Sequence, residues 1–151
     1  MHPYVLAGYT AMSGDDPRTA ANEAWDPLFA RGAKWGDLLL YSMLPENGPG
    51  YLTNAKLPQI EAGFAPFKKL NIRTTYYHVG AFHPYQGDSR FGKGTFRGGL
   101  AQIRGDLTLN QHWRAHVQYE NLHQGDFYTE KVGGYFLRFE LSFLFRSQVH
   151  L

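Results

Sequence analysis

Eight charged residues hold most of the chemistry open to this sequence. Arg73, Arg104, Arg114 and Arg138 fall in stretches where apolar and polar residues alternate, and Glu61, Asp106, Glu120 and Glu140 stand in the same stretches. Alternation assigns all eight to one face of a sheet. Guanidinium groups recognise carboxylates through paired N–H donors and stay charged at any relevant pH. Acidic residues beside them hold the arginines apart and moderate their field. Such a face is either a path for a carboxylate-bearing ligand or a set of cross-strand ion pairs that satisfy a polar interior.

Other combinations carry less. The loop Ser13-Gly14-Asp15-Asp16-Pro17, with Asp26 further on, brings three carboxylates near one another. Its spacing is not that of an EF-hand loop, and Gly-Asp and Asp-Pro are ordinary turn pairs. His112 and His116 would face one metal on a helix, but on a strand they stand about 13 Å apart. His78, His83 and His123 have no fixed partner and read as residues of an aromatic rim or a lumen. Ser13, Ser42, Ser89, Ser142 and Ser147 are the only serines, and none is placed beside a His as a nucleophile requires. Gly92-Lys93-Gly94-Thr95 lacks the strand-loop-helix setting of a phosphate loop. No catalytic residue, metal or cofactor is therefore expected.

The composition says which elements position the charged face. The 151 residues are enough for one domain. Hydrophobic residues make up 43%, so disorder is not expected; charged residues make up only 19% and aromatic ones reach 16%, with 17 Gly. A charge-poor, aromatic-rich and glycine-rich chain is a β composition, not a helical bundle. Net charge is +2 with no run of Lys and Arg, which argues against a nucleic-acid partner. The chain has no Cys, which excludes disulfides, cysteine zinc sites and thiol nucleophiles. No apolar stretch is long enough for a membrane helix.

Period-two alternation is strongest at the end of the chain. Tyr135, Leu137, Phe139, Leu141, Phe143 and Phe145 alternate with Phe136, Arg138, Glu140, Ser142 and Leu144. Trp113 to Glu120 and Ala101 to Leu109 repeat the pattern, and Ile72 to Tyr77, Gln59 to Phe64 and Tyr4 to Met12 give three weaker cases. Short turns at Phe67–Asn71 and Asn110–His112 alternate with long connections at Ser13–Leu52, His83–Thr95 and Asn121–Gly133. The predicted fold is an all-β, antiparallel up-and-down meander of about six long strands, with both chain ends on the tight-turn side. One helix is predicted in the longest connection, around Trp35 to Met43, ending at Pro45 and Gly48. Long strands, tight turns at one rim, long loops at the other and aromatic strand ends are the pattern of an outer-membrane barrel, in which apolar side chains face lipid and charged ones the lumen.

The motifs then resemble those of a known family. Ser13-Gly14-Asp15-Asp16-Pro17, Ala24-Trp25-Asp26-Pro27-Leu28-Phe29 and Lys34-Trp35-Gly36-Asp37-Leu38 resemble the C-terminal part of the alginate-export family of outer-membrane barrels. Gly105-Asp106-Leu107, Trp113-Arg114 and Gly125-Asp126-Phe127-Tyr128 are similar as well, and Tyr135 to Phe145 resembles a terminal strand read by the barrel assembly machinery. The resemblance covers nearly all of residues 3–145. It implies a larger single-chain barrel with an arginine-rich lumen that passes an anionic polysaccharide without catalysis. By that resemblance, the lumen arginines named above are the polyanion path, the outer-membrane lipid is the surrounding partner, and residues 13–52 form a long extracellular loop at the mouth. Six strands cannot close a membrane barrel, and Met1-His2-Pro3-Tyr4 is not a signal-peptide start. The expectation is thus that residues 1–151 are the C-terminal part of an outer-membrane β-barrel, with 133–145 its terminal strand. The competing readings are a lipocalin-like soluble ligand-binding barrel, which would enclose the aromatic face, and a small outer-membrane hydrolase.

Overall fold

A computed structural model describes residues 2–25, 35–38, 53–85, 89–131 and 133–145. Six strands account for most of them: β1 (Tyr4–Met12), β2 (Ala55–Phe67), β3 (Leu70–Gly80), β4 (Phe96–Thr108), β5 (Trp113–Gln124) and β6 (Gly133–Phe143). They form one antiparallel sheet in chain order, with β1 and β6 as its edges. This is the predicted meander. The sheet is open, so barrel closure is not part of the structure described.

Several strands run further than alternation suggested. Gly98 and Gly99 belong to β4, although the alternation is read only from Ala101, and Asn121 to Gln124 belong to β5, although they read as loop. Glycine hides the period because it has no side chain to alternate. At Gly99 a Cβ would run into the His123 ring and the Tyr76 hydroxyl, so the strands approach closely there only because the side chain is missing. The terminal strand ends at Phe143, two residues short of the predicted Phe145, because its partner β5 begins at Trp113; Leu144 N–H still donates in register to His112 O (2.8 Å).

The two rims differ. Lys68 and Lys69 are the whole β2–β3 turn. The β4–β5 turn is fixed by Asn110 Oδ1, which accepts from the N–H groups of His112 (2.9 Å) and Trp113 (3.0 Å). At the other rim, Asn54 sits in the left-handed region (φ 50°) and joins three segments. Its N–H donates to Ser13 O (3.0 Å), its Oδ1 accepts from Phe82 and His83 N–H (2.9 and 3.0 Å), and its Nδ2 donates to His83 O (2.7 Å). The β3–β4 and β5–β6 connections are held together by buried Phe127 and Tyr128 against Ala81 and Phe91, with the Arg97 guanidinium 4.6 Å from the Phe127 ring centre.

The faces are inverted relative to a water-soluble sheet. One face carries Val5, Ile60, Phe64, Ile103, Val117, Leu137, Phe139 and Leu141, all exposed; Phe139 is 69% and Tyr135 76% accessible. Between the Tyr135 and Phe143 positions of the strands, this face carries no Asp, Glu, Lys or Arg. Trp113, Phe143 and Phe145 cluster at its tight-turn edge, with ring centres 4.6–4.8 Å apart in sequence of contact. The opposite face holds the charges. It also holds the main apolar cluster, Ala55, Leu57, Tyr77, Val79, Leu100 and Leu122, confined to the long-loop end and capped by Leu38.

Candidate functional site

The register brings all eight predicted residues to one face, in files that cross the strands. Arg138, Gln118, Arg104 and Arg73 form one file across β6 to β3. Towards the long loops lies the file Phe136, Glu120, Gln102, Thr75 and Glu61. Towards the tight turns lie Glu140, His116, Asp106 and Asn71, and beyond them Ser142, Arg114 and Thr108. Side chains two apart on a strand share a face, so this layout follows directly from the alternation.

A short piece of the longest connection lies on this face. Trp35 O accepts from Gln102 Nε2 (2.7 Å), Asp37 N–H donates to Glu120 Oε1 (3.1 Å) and Leu38 N–H to Glu120 Oε2 (2.7 Å). Asp37 and Leu38 have helical backbone. The rest of the predicted helix, Leu39 to Met43, lies outside the described residues. Gly36 adopts φ 145°, and a Cβ there would overlap the Gln102 amide and lie 2.9 Å from both Glu120 carboxylate oxygens. Only glycine lets this backbone lie directly on the sheet.

Glu120 is thereby removed from any open path. It is fully buried (0%) and receives four N–H donors: the two backbone groups, Gln102 Nε2 (2.9 Å) and Gln118 Nε2. An ionised carboxylate offers about four acceptor positions, so the donor set matches it without a cation. Its role here is to anchor Trp35–Leu38.

The arginines differ in how they are held. Arg104 bonds Asp106 through Nε (2.9 Å) and Nη2 (2.8 Å) and donates to Gln118 Oε1 (3.2 Å). Arg138 pairs with Asp37 Oδ2 (2.8 Å), which also accepts from Gln118 Nε2 (3.3 Å), and donates to His116 Nε2 (3.2 Å). The side chains of Arg73 and Arg114 make no hydrogen bond or ion pair within the described residues. Arg73 is half-buried and lies directly opposite Arg104 in the β3–β4 register. Like charges so placed repel. Glu61 accepts from Tyr4 Oη (2.7 Å) and Thr75 Oγ1 (3.0 Å).

Clefts lined by described residues open on this face. One, of about 280 Å³, lies between Asp37, Glu61, Arg73, Thr75, Arg104 and Arg138. Another, of about 410 Å³, lies nearer the tight turns between Arg104, Asp106, Arg114, His116, Glu140 and Ser142. Three guanidinium groups to two carboxylates in the first cleft favour an anion.

The remaining motifs resolve into local structure. Asp16 pairs with Arg18 (2.6 Å), whose guanidinium and N–H hold its carboxyl well below the usual carboxylate range, and Asp15 Oδ1 accepts from Glu23 N–H (3.2 Å). Asp26 lies outside the described residues. His112 stacks on Phe143 at the tight-turn rim, while His116 faces the charged side. Ser142 Oγ donates to Glu140 Oε1 (3.1 Å), and His116 Nε2 is 3.7 Å from the other oxygen. The acid stands between hydroxyl and imidazole, which is the wrong order for activating a serine. Gln102, Gln118, Thr75, Gly36 and Asp37 were missed as site residues. The first three were legible as same-face neighbours two residues from a predicted site residue; Gly36 and Asp37 gave no signal beyond their place in a Trp-Gly-Asp motif.

Compared with protein-family models, curated proteins and solved structures, the chain matches none.

Proposed function

We propose that the six strands are a section of the wall of a bacterial outer-membrane β-barrel, and that the charged face lines a lumen through which an anionic polysaccharide or oligosaccharide diffuses passively. The observation that carries this reading is the inversion of the faces. A broad, uncharged, aromatic-edged surface is fully open, while Glu120 is buried on the other side. Gly133 to Phe143, the whole of β6, is about 33 Å along the strand, or about 25 Å in height at a tilt of roughly 40°, the height of an outer-membrane apolar band. Membrane barrels begin at eight strands, and open edges in hydrocarbon cost several kcal/mol per unsatisfied group. On this reading β1 and β6 therefore join further strands.

The ligand class follows from the arginine file. Arg73, Arg104 and Arg138 offer forked donors suited to carboxylates along a chain, as in a uronate polymer such as alginate. A lipocalin-like barrel is disfavoured because its ligand-enclosing aromatic face is here the most exposed surface. The test uses outer-membrane extracts of cells expressing the chain, where its edges pair with further copies to complete a barrel, reconstituted in planar bilayers under a KCl gradient. The expected result is an anion-selective conductance reduced by alginate oligomers. A protein that stays dispersed without detergent and gives no conductance overturns the proposal.

A further inference from the structure

Arg73 and Arg104 face each other across neighbouring strands, with Arg138 further along the same file. Like charges on one file repel, and anions among them relieve that repulsion. Two anions are in place: Asp37, bound by Arg138 and Gln118, and Glu61, held by Tyr4 and Thr75 and not by an arginine. Asp106 serves the outer side of Arg104. Arg73 has no such partner within the described residues, and the cleft beside it holds about 280 Å³. That is the lower end of small-ligand sites and suits one sugar ring.

We infer that this cleft is a carboxylate site that the protein half fills itself. Asp37 is a tethered stand-in for a ligand carboxylate, and a uronate that spans Arg73 and Arg138 displaces it and releases Trp35–Leu38 from the sheet. The ligand class rests on the functional reading above, whereas the competition between Asp37 and a free carboxylate stands on this geometry alone. A tether keeps its end group at roughly millimolar effective concentration, so occupancy by Asp37 weakens ligand binding without blocking it. Displacement is linked to the rest of the segment because Asp37 and Leu38 also hold Glu120 through their backbone N–H groups.

Trp35 reports the event. In the 151-residue chain carrying Trp25→Phe and Trp113→Phe, folded in detergent, galacturonate is titrated at constant ionic strength, with glucose and chloride as controls. Galacturonate alone is expected to give a saturable red shift of Trp35 emission. Asp37→Asn retains volume and an acceptor oxygen and is expected to bind galacturonate about tenfold more tightly, a change of about 1.4 kcal/mol. Arg73→Gln is expected to bind at least tenfold more weakly, on the same scale. No shift with galacturonate in the otherwise native chain, or equal affinity in Asp37→Asn, overturns the inference. A protein that conducts but shows neither effect loses this inference and keeps the channel. One that binds as described but never conducts keeps the inference and loses the channel.

Discussion

Replacing Gly36 with Ala tests whether Trp35–Leu38 rests on the sheet by a narrow margin. Two N–H bonds to the ionised Glu120 contribute about 2 kcal/mol each, and the Gln102 bond to Trp35 O about 1. Burying Leu38 (5% exposed) adds about 2 kcal/mol. The partly exposed Asp37–Arg138 pair adds less than about 1. Against these, ordering four residues costs about 1.5 kcal/mol each. The margin is about 1–2 kcal/mol in favour of docking. An Ala at φ 145° costs about 1–3 kcal/mol in backbone strain. Its Cβ also pushes aside the Gln102 and Glu120 atoms that hold the segment. The expected outcome is an undocked segment on an intact sheet. The assay is Trp35 emission, red-shifted in Gly36→Ala, together with lost amide exchange protection at Asp37 and Leu38 and unchanged far-UV dichroism. Unchanged emission and protection would refute the reasoning, because the docking would then survive a perturbation larger than its whole calculated margin.

Three further outcomes are expected. Phe139→Arg puts a charge in the middle of the open apolar face and should destabilise the bilayer-folded protein by about 2–4 kcal/mol in urea titrations with lipid, against under about 0.5 if that face meets water. Arg104→Ala with Arg138→Ala should lower anion selectivity, read as a reversal-potential shift; an unchanged potential leaves both as ion-pair residues only. Arg18→Ala should raise the Asp16 titration midpoint towards that of an ordinary aspartate, followed by carboxyl NMR. Because the folded value is depressed, the Asp16–Arg18 contact is complete above the ordinary aspartate range and is lost only as pH falls through the folded value.

The strands were legible because alternation survives wherever side chains are present. Tyr135 to Phe143, with Arg138 and Glu140 between, admits no helical reading. Legibility failed at glycines, as at Gly98 and Gly99, where the pairing with β5 leaves no pattern to see. The common face of the eight charged residues followed from parity. Their division into pinned and unpinned did not, because it depends on contacts from a distant segment. Leu38 and Glu120 are 82 positions apart, and nothing local to either announces the hydrogen bond between them. The inward face is read from the sequence only as the face of the charged residues. It is apolar at the long-loop end because Leu57, Leu100 and Leu122 share the parity of the charged residues and are covered there by Leu38. Parity assigns a face and says nothing about what lies on it.

The Asn54 junction bears on how freely the rim can vary. The N–H groups of Asn54 and Trp25 both donate to the carbonyl of Ser13 (3.0 Å each), so the excursion between β1 and β2 is rooted at a single point. Once the two ends of a chain excursion are fastened together, its length is thermodynamically cheap: doubling it costs only about 0.6 kcal/mol in closure entropy. Changes in chain length between Trp25 and Trp35 are therefore expected to leave the stability of β1–β6 nearly unchanged. On the channel proposal, an engineer can thus alter the length of this connection and leave the six strands untouched.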